Sequence, residues 1–583
     1  MEYRKKYQQW LEFPGMDEEL SRELTKISLD ENEIANRFSK EIAFGTGGIR
    51  GRMGAGTALI NIYIIRKVTA GLARYLLNSC PQEGKAPSVV IACDTRRNSE
   101  RFVRETAEVL TSLGIKAWVF PEPTPTPLLS FAVRELQASA GVVITASHNP
   151  PADNGYKVYG PDGGQITDCQ AHAITEQILQ VENELTIPVG DLEEAKKNGL
   201  FELVGAEVDN LYFNHLQSIS LSSTWWGKGP LPVRVVYTPL HGTGGKAIPR
   251  ALTNAGVTDL FLVSEQLELD PNCSTVQYPN PEDWEVYNLA KALGEKEEAD
   301  LLLATDLDAD RLGAAVRSIS GRYVPLTGNQ IGCLLLDYIL SQKKKQGKLP
   351  ANGIVIQTVV TSEMGKTIAA AYGVETVETL TGFKYIGEQI KLRVDSSQNV
   401  FLFGFEESYG YLAGDFVRDK DGIQASQLVA EMTAYYKYRK MTLLAALEQL
   451  FLAHGYFQEE LVNLTLAEGE LYRVEQGMNQ LRGAHLLEMN GLKIIRADDY
   501  LKQLSTDVQG NQTPIGLPAS NALKYILEDL SWFCIRPSGT EPKIKIYLGV
   551  KEDSAEIAAA KLSTLKEKVL ALVHGLEMRS RSL

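Results

Sequence analysis

The sequence predicts an α/β protein made of three α/β units and a fourth, smaller α+β region. Short apolar strand patterns alternate with helical patterns along residues 89–405, and the alternation restarts twice. Alternating strands and helices favour parallel or mixed sheets covered by helices. From about Tyr456 the pattern changes, because strands such as Lys493–Arg496 and Lys543–Val550 precede one closing helix, from Ser554 to about His574.

The first unit begins with an apolar strand and a helix whose two ends carry capping residues. Ser99 can cap this helix at its start, and Gly114 is a typical stop after its end. The predicted elements of this unit are the strand Val89–Cys93, the helix from Ser99 towards Gly114, the strand Lys116–Phe120, the helix Pro127–Leu136 and the strand Gly141–Ala146. The next two units are predicted from strands at Val233–Tyr237, Asp300–Ala304, Gly353–Val360 and Phe401–Phe405, and from a helix that runs to Asn254.

The bulk composition is that of an ordinary globular protein. The chain has 583 residues, 44% of them hydrophobic, and a formal net charge of −14. This charge disfavours nucleic acid and membrane surfaces as partners, so an anionic ligand would need local basic groups. The six cysteines form no CxxC pair, no apolar leader follows the N-terminus, and no run reaches the roughly 20 apolar residues of a membrane span. We therefore expect a cytoplasmic protein.

Each unit has a buried strand that runs into a polar loop, and ligands bind outside the carboxyl ends of strands in open α/β sheets. We therefore expect these loops to meet in one cleft. In the first loop, TASHNP, Ser147 directly follows the predicted strand. It can act as a nucleophile or cap a backbone donor in a turn. A hydrolase elbow needs glycine two residues to either side, where this chain has Thr145 and Asn149.

The second loop, DLDADR, carries the carboxylates of Asp306, Asp308 and Asp310. Alternate residues of an extended loop point the same way, so the three can converge on one hard cation. Oxygen ligands favour Mg²⁺, Mn²⁺ or Ca²⁺ over zinc. An EF-hand needs glycine and glutamate where the chain has Arg311 and Arg317, and a solvated acidic turn would leave three carboxylates in mutual repulsion.

The third loop, GFEESYG, offers acceptors suited to sugar hydroxyls in Glu406, Glu407 and Ser408. Taken alone, it also fits a surface turn with solvated glutamates. Lys420, in the downstream segment RDKDG, is a candidate for proton transfer, although an exposed lysine is often inert.

The fourth loop, RPSGTEPK, has the composition of a phosphate clamp or of a simple hairpin turn. Arg536 offers a bidentate fork, Ser538 and Thr540 offer hydroxyls, and Gly539 permits close backbone approach. The spacing of a Walker A loop is absent. Near the N-terminus, Arg50 lies in the glycine-rich segment GTGGIRG, where it occupies the third glycine position of GxGxxG and could instead approach a phosphoryl group.

The four loops define four predicted domains. These are residues 1–210 with the Ser147 loop, 211–320 with the aspartate loop, 321–453 with the glutamate loop and 454–583 with the Arg536 loop.

The ordered set of motifs, from GTGGIRG through TASHNP, DLDADR and GFEES to RPSGTEPK, resembles the α-D-phosphohexomutase superfamily. The segments TPLHGTG, TGFKYIG and RDKDG make the chain most similar to the larger bacterial phosphoglucomutases and the related phosphoglucomutase/phosphopentomutase group. The resemblance implies four domains around a central cleft, the first three α/β with mixed sheets.

The resemblance also implies roles for individual residues. Ser147 would be phosphorylated and would complete a Mg²⁺ site with Asp306, Asp308 and Asp310. The other implied catalytic residues are Arg50, His148, Lys157 and Lys420. The implied sugar-binding residues are Arg311, Thr381, Gly382, Lys384, Glu406, Glu407 and Ser408, and the implied distal phosphate site comprises Arg536, Ser538, Gly539, Thr540 and Lys543. Some phosphomannomutases carry a histidine where this chain has Gly410, which leaves Lys420 or Lys157 for proton transfer.

The implied reaction is the interconversion of α-D-glucose 1-phosphate and glucose 6-phosphate, with glucose 1,6-bisphosphate as intermediate and activator. The implied partner is a small phosphosugar, and the expected state is a monomer or weak homodimer. Three alternatives stay open: a phosphopentomutase or relaxed hexose/pentose mutase, a phosphosugar phosphatase, and a non-catalytic phosphosugar-binding protein.

Overall fold

The computed structural model describes residues 2–45, 47–79, 86–227, 229–465, 471–484, 486–537 and 543–579. The chain divides into two compact units. The first comprises Met1–Val355 and Phe383–Leu443, and the second comprises Ile356–Gly382 and Leu444–Leu583. No helix within the described ranges is both long and apolar enough to cross a membrane.

The first unit begins with a six-stranded mixed sheet. Its helices are α1 (Glu2–Leu11), α2 (Glu18–Lys26), α3 (Glu31–Phe38), α4 (Ile62–Ser79), α5 (Ser99–Ser112), α6 (Thr126–Glu135), α7 (Asp168–Leu179) and α8 (Leu192–Lys197). Its strands are β1 (Gly48–Arg52), β2 (Ser88–Cys93), β3 (Lys116–Val119), β4 (Ala140–Ile144), β5 (Asp153–Tyr159) and β6 (Phe201–Leu203). The strand order is β1-β5-β4-β2-β3-β6. Strand β2 is parallel to β3 and β4, whereas β5 is antiparallel to β4 and β1.

The N-terminal helices are fixed to this sheet layer by aromatic packing. Trp10 is fully buried, and its ring meets those of Phe38 and Tyr63 edge-on at centroid distances of 5.6 and 5.4 Å. Its indole N–H donates to Glu184 at 2.8 Å. Edge-to-face aromatic pairs add stability beyond the area that they bury, so α1 and α3 form part of the same core as α4.

A second mixed sheet of five strands follows in the same unit. Its elements are α9 (Ala206–Ser218), α10 (Gly244–Asn254), α11 (Ser264–Leu267), α12 (Asn288–Glu297), β7 (Arg234–Thr238), β8 (Asp259–Leu262), β9 (Leu301–Thr305), β10 (Leu312–Arg317) and β11 (Tyr323–Pro325). The strand order is β11-β10-β9-β7-β8, with β7 parallel to β8 and β9, and β10 antiparallel to β9. Every residue of β9 is buried, as its apolar sequence LLLAT predicts.

The next stretch of chain contributes to both units. Its elements are α13 (Gly328–Lys345), α14 (Glu363–Ala371), α15 (Phe383–Arg393), α16 (Gly422–Tyr438), α17 (Leu443–His454), β12 (Gly353–Thr358), β13 (Glu375–Thr379), β14 (Val400–Glu406) and β15 (Gly410–Leu412). In the first unit, β14 and β15 form an antiparallel pair in which Gly404 lies opposite Leu412. Strand β12 begins in the first unit and ends in the second, and β13 is its neighbour in the sheet.

The second unit is dominated by an antiparallel sheet covered by two helices. Its elements are α18 (Leu471–Gly483), α19 (Ala555–Arg579), β16 (Tyr456–Thr465), β17 (Glu488–Met489), β18 (Leu492–Asp499), β19 (Leu504–Asp507), β20 (Gln512–Pro514), β21 (Leu523–Leu527), β22 (Trp532–Pro537) and β23 (Lys543–Glu552). The strand order is β16-β23-β22-β21-β18-β19-β20, and β17 pairs with β18. The predicted fold class, α/β with a closing α+β region, is confirmed.

Two local predictions need correction. Ser99 is the first residue of α5 rather than its cap, because Asn98 occupies the cap position and the Ser99 hydroxyl donates to Asp94 at 2.9 Å. The segment GTGGIRG is not a free loop, since Gly48–Arg52 forms strand β1 against β5. Gly114 does follow the end of α5, with a φ of 76° that suits glycine.

Candidate active site

Ser147 lies in a strained loop just after β4. Its φ is 55°, and its amide donates to Thr145 Oγ1 at 2.7 Å. The side chain is only 2% exposed. Its hydroxyl donates to Asp306 Oδ2 at 2.6 Å, and it lies 3.2 Å from His148 Nδ1. Strained backbone of this kind concentrates at functional sites, and here it holds the hydroxyl against the aspartate loop.

An arginine that the motif analysis missed fixes this loop. The Arg96 guanidinium donates to the carbonyl oxygens of Ser147, Asn149 and Pro150 at 2.7, 2.6 and 2.6 Å. Its Nε pairs with Asp94 Oδ2 at 3.1 Å, and both side chains are fully buried. Asp94 and Arg96 directly follow β2, so the signal that identified the other loops, a polar segment after a buried strand, was present here too.

The aspartate loop is a turn, not the extended segment that the sequence analysis assumed. Ala309 has a φ of 52°, and its amide donates to the Asp306 carbonyl at 3.1 Å. The turn nevertheless gathers the side chains, because one carboxylate oxygen each of Asp306, Asp308 and Asp310 lies within 4.8 Å of the other two. The three side chains therefore converge because the loop turns, and the prediction of an extended loop is wrong.

The three buried carboxylates fit a hard divalent cation. Asp308 Oδ1 and Asp310 Oδ1 are buried and have no hydrogen-bond partner in the described part of the chain, and buried polar atoms of this kind demand a partner. Burial and the two neighbouring carboxylates raise the pKa of Asp306 well above its usual range. Burial acts in the same direction on Asp308, but the Lys157 ammonium outweighs it and holds the pKa of that carboxyl well below its usual range.

Two lysines balance part of this negative charge. Lys157 Nζ lies 2.7 Å from Asp308 Oδ2 and 3.4 Å from Asp310 Oδ2. Lys420 Nζ lies 3.2 Å from Asp310 Oδ2 and 3.3 Å from Asp419 Oδ1. Burial would lower the pKa of each ammonium, yet the adjacent carboxylates outweigh it and raise both pKa values, so both lysines are protonated at neutral pH.

The candidate sugar loop lies directly against the aspartate loop, and Lys420 packs beside both. Arg311 forms a β-bridge with Gly410. A Cβ at Gly410 would lie 2.3 Å from Lys420 Cδ and 3.0 Å from Glu406 Oε1. Glu406 is buried, whereas Glu407 and Ser408 are half-buried. The lysine side chain thus occupies the space where a side chain at position 410 would lie.

Arg50 projects from strand β1 beside the Ser147 loop. It lies opposite Gly155 in the β1–β5 pairing, and its Nη1 donates to Asn149 Oδ1 at 3.3 Å. Gly48 has a φ of 141°, and a Cβ there would lie 1.9 Å from the Tyr156 carbonyl oxygen. The close approach of β1 to β5 therefore requires glycine at this position.

The remaining predicted site residues of the first unit have other partners. Lys384 Nζ donates to Asp168 Oδ1 at 2.6 Å, and Asp168 Oδ2 accepts from Tyr385 at 2.7 Å. Arg311 Nη1 pairs with Glu282 at 2.6 Å. Asp168 and Glu282 were not predicted, since neither lies in a recognisable motif.

In the second unit, the structure describes part of the candidate phosphate loop. Arg536 is the second-last residue of β22, and its Nη2 donates to the Tyr547 hydroxyl at 3.2 Å. Lys543 is the first residue of β23. The predicted residues Ser538, Gly539 and Thr540 lie outside the described residues. Thr381 and Gly382 also belong to this unit, and Gly382 has a φ of 117°.

Four domain families match the chain in order. They are the phosphoglucomutase/phosphomannomutase α/β/α domains I, II and III, at residues 41–185, 210–321 and 327–451, and the phosphoglucomutase/phosphomannomutase C-terminal domain, at residues 461–565. The Ser147 loop falls in the first match and the aspartate loop in the second. The glutamate loop falls in the third, and Arg536 in the fourth.

Proteins that are similar over most of the chain belong to the same family as the four matching domains. The chain is 38% identical over 526 residues to a phosphoglucomutase of Staphylococcus haemolyticus, covering 89% of this chain and 92% of the relative. It is 37% identical over 565 residues to a phosphoglucomutase of Staphylococcus aureus, covering 94% and 98%. A phosphoglucomutase/phosphomannomutase family protein from Burkholderia thailandensis shares the fold, with a TM-score of 0.65 at 18% identity over 92% of this chain and 97% of its own. Parafusin, a phosphoglucomutase from Paramecium, also shares the fold, with a TM-score of 0.65 at 18% identity over 92% of this chain and 95% of its own.

The fold and the ordered loops define a multi-domain α/β isomerase that moves a phosphoryl group on a sugar. The chain belongs to the phosphoglucomutase/phosphomannomutase family, within the α-D-phosphohexomutase superfamily.

Proposed function

We propose that the chain is a phosphoglucomutase that interconverts α-D-glucose 1-phosphate and glucose 6-phosphate through phosphorylated Ser147. The observation that carries the proposal is the 2.6 Å hydrogen bond from the Ser147 hydroxyl to Asp306, inside a buried cluster of three carboxylates. A surface serine needs no such cluster. The names of the similar staphylococcal proteins support glucose phosphates as substrates.

The residues of the aspartate loop suit Mg²⁺. Asp306, Asp308 and Asp310 offer oxygen ligands only, and an oxygen of phosphorylated Ser147 would complete the set. A cation held there would offset charge on the transferring phosphoryl oxygens.

The groups around Ser147 can accept and supply the protons that move during the transfer. When a glucose 1,6-bisphosphate rephosphorylates the enzyme, the bond between phosphorus and a sugar oxygen breaks and a bond from phosphorus to Ser147 Oγ forms. The Ser147 proton passes along the 2.6 Å hydrogen bond to Asp306 Oδ2 as the bond to phosphorus forms. The departing sugar oxygen takes a proton from Lys420, whose raised pKa keeps it charged until then. The other half-reaction reverses these steps at the other sugar position.

Lys420 is the better of the two predicted proton donors. Both lysines contact two carboxylates, but Lys420 packs over Gly410 beside Glu406, a proposed ligand of the sugar hydroxyls, whereas both partners of Lys157 lie in the aspartate loop. Lys157 and Arg50 would contribute positive charge near the phosphoryl group. Arg536, Lys543 and the loop between them would hold the second phosphate.

The decisive experiment compares the wild type with Ser147→Ala in a coupled glucose 6-phosphate assay, with and without catalytic glucose 1,6-bisphosphate. Loss of the nucleophile should lower kcat at least about a thousandfold. The intact mass of the wild type should report a phosphoryl group that the variant cannot carry. Ser320→Ala, at an exposed serine, is the matched control and should leave the rate unchanged. Full conversion by Ser147→Ala would disprove the assignment of the nucleophile.

The same assay separates the alternatives. Faster turnover of ribose 1-phosphate than of glucose 1-phosphate would identify a phosphopentomutase, and net release of inorganic phosphate would identify a phosphatase. The cytoplasmic location, the monomeric or weakly dimeric state and the domain boundaries at 210, 320 and 453 stay predictions.

A further inference from the structure

A groove of about 550 Å³ lies in the first unit, apart from the Ser147 cluster. It opens between α9, α13, the end of α15 and the segment that follows β15, and we call it the α9–α13 groove. The residues that matter here are His215, Lys343, Asp395, Leu402, Phe416 and Arg418. We propose that this groove binds an organic anion that carries a flat ring, such as a nucleoside monophosphate. The proposal is independent of the mutase function proposed above.

The lining of the groove includes the buried side chain of Arg418. The Arg418 side chain is 1% exposed. Its Nη1 donates to the Asp415 carbonyl at 2.6 Å and its Nη2 to Asp395 at 2.5 Å, but its Nε has no hydrogen-bond partner among the residues that the structure describes. This nitrogen has almost no accessible surface, so Arg418 contributes its positive charge to the lining of the groove rather than a hydrogen bond to a ligand.

A second cationic side chain in the groove lining, that of Lys343, forms no ion pair with a carboxylate of the described residues. Lys343, on α13, is half-buried and lines the groove together with the apolar residues Ile339 and Leu402, and its ammonium makes no hydrogen bond or ion pair with the residues that the structure describes. Burial and the neighbouring Lys348 ammonium both lower the pKa of the Lys343 ammonium, and no carboxylate of the described residues pairs with it in compensation. An anionic group of a ligand would supply that compensation.

The charge count of the groove favours an anion. Its lining has three cationic side chains, those of Arg134, Lys343 and Arg418, and two carboxylates, those of Asp395 and Asp415. The lining is thus positive by one charge in a protein whose net charge is −14. Local positive charge of this kind selects anionic ligands.

The opposite wall offers a surface for a flat ring. The His215 and Phe416 rings lie 5.4 Å apart, tilted by 31°, and Phe131 supports His215 at 5.7 Å. His215 is an exposed residue of the groove lining, where a flat ring of a ligand would stack. A groove of this volume with apolar walls and a few polar groups lies within the range of small-molecule sites, which are about 300–1,000 Å³.

The test measures binding of AMP and phenyl phosphate by titration calorimetry to the full-length protein. Adenosine and inorganic phosphate serve as half-probes that lack the anion or the ring. Saturating glucose 6-phosphate is present throughout to occupy any phosphosugar site. We expect AMP or phenyl phosphate to bind at least tenfold more tightly than either half-probe.

Variants locate the binding. Lys343→Ala and His215→Ala should each weaken it about tenfold, with unchanged thermal stability. Lys344→Ala, at an exposed lysine on the same helix that does not line the groove, should leave it unchanged. If neither ring-bearing anion binds, or if binding does not depend on Lys343 and His215, the proposal is overturned.

Discussion

Gly410 and Lys420 show how one missing side chain shapes the candidate site. The Lys420 side chain fills the space beside the Gly410 Cα, which directs its ammonium towards Asp310 at 3.2 Å. Some phosphomannomutases place a histidine at the position of Gly410. In this chain any side chain there would displace the lysine, so the two residues form a matched pair.

Gly410→Ala should therefore lower kcat without unfolding the protein. The added Cβ would lie 2.3 Å from Lys420 Cδ, and the flexible lysine would have to move away. We expect a loss of about tenfold to a hundredfold in kcat, since general acid–base catalysis contributes roughly 10²–10⁴-fold and the lysine is displaced rather than removed.

The matched control is Gly516→Ala, because a Cβ at that glycine meets no atom within 4 Å. Equal kcat values for both variants and the wild type in the coupled assay would rule out the proposed role of Lys420.

Residue identities in the motifs could be read from the sequence, whereas their contacts could not. Ser147, Asp306 and Lys420 were singled out from local patterns. Asp168, which binds Lys384 at 2.6 Å, and Glu282, which pairs with Arg311, were missed because they lie in unremarkable segments and become relevant only through packing.

Among the structural elements, the loop after β4 is the one on which the proposed chemistry depends most. It leaves the sheet beside the loop after β2, because the two strands are parallel and Cys93 lies opposite Ile144. This neighbourhood lets the buried Arg96 bind the carbonyl oxygens of the Ser147 loop. The strained φ of Ser147 is maintained by these contacts.

Arg96→Ala should destabilise the protein by about 3–5 kcal/mol, because it would leave the fully buried Asp94 carboxylate without its cation. Mutase activity should also fall at temperatures where the variant is still folded, since the Ser147 loop would lose the hydrogen bonds that the Arg96 guanidinium donates. Arg96→Lys should recover part of the stability but little activity, as an ammonium cannot reach several carbonyl oxygens at once.

Thermal unfolding and kcat are the measurements for this series. Arg97→Ala, at the exposed neighbour, is the control and should change stability by no more than about 0.5 kcal/mol. Equal effects of the substitutions at 96 and 97 would contradict the anchoring role.

At the scale of the whole molecule, the first unit concentrates buried charge from distant parts of the chain. Ser147 and Asp306 are separated by 159 positions, and Lys157 and Asp308 by 151. Two carboxylate oxygens of this cluster, Asp308 Oδ1 and Asp310 Oδ1, accept no hydrogen bond from any described residue. The folded protein should consequently bind a divalent cation that the unfolded chain does not.

Mg²⁺ should raise the apparent Tm of the protein. Binding to the folded state alone adds about 2.7 kcal/mol when the cation is at a hundred times its Kd. We expect a rise of a few degrees in a thermal-shift assay at constant ionic strength, and no rise with K⁺.

Asp310→Asn should abolish most of this Mg²⁺-dependent shift, whatever its effect on the starting Tm. A shift of the same size in the wild type and in Asp310→Asn would place the cation elsewhere.

The sequence by itself determined the α/β fold class, the family and the loops that carry reactive side chains, because hydrophobic periodicity and motif spacing are local properties of the chain. Only the tertiary structure decided which loops touch. It replaced the supposed extended aspartate loop by a turn with a positive φ at Ala309, and it turned part of a glycine-rich loop into strand β1. The physical reason is that loop conformation and long-range pairing are fixed by packing against distant segments, such as Arg96 on the Ser147 loop, and local composition carries little record of those neighbours.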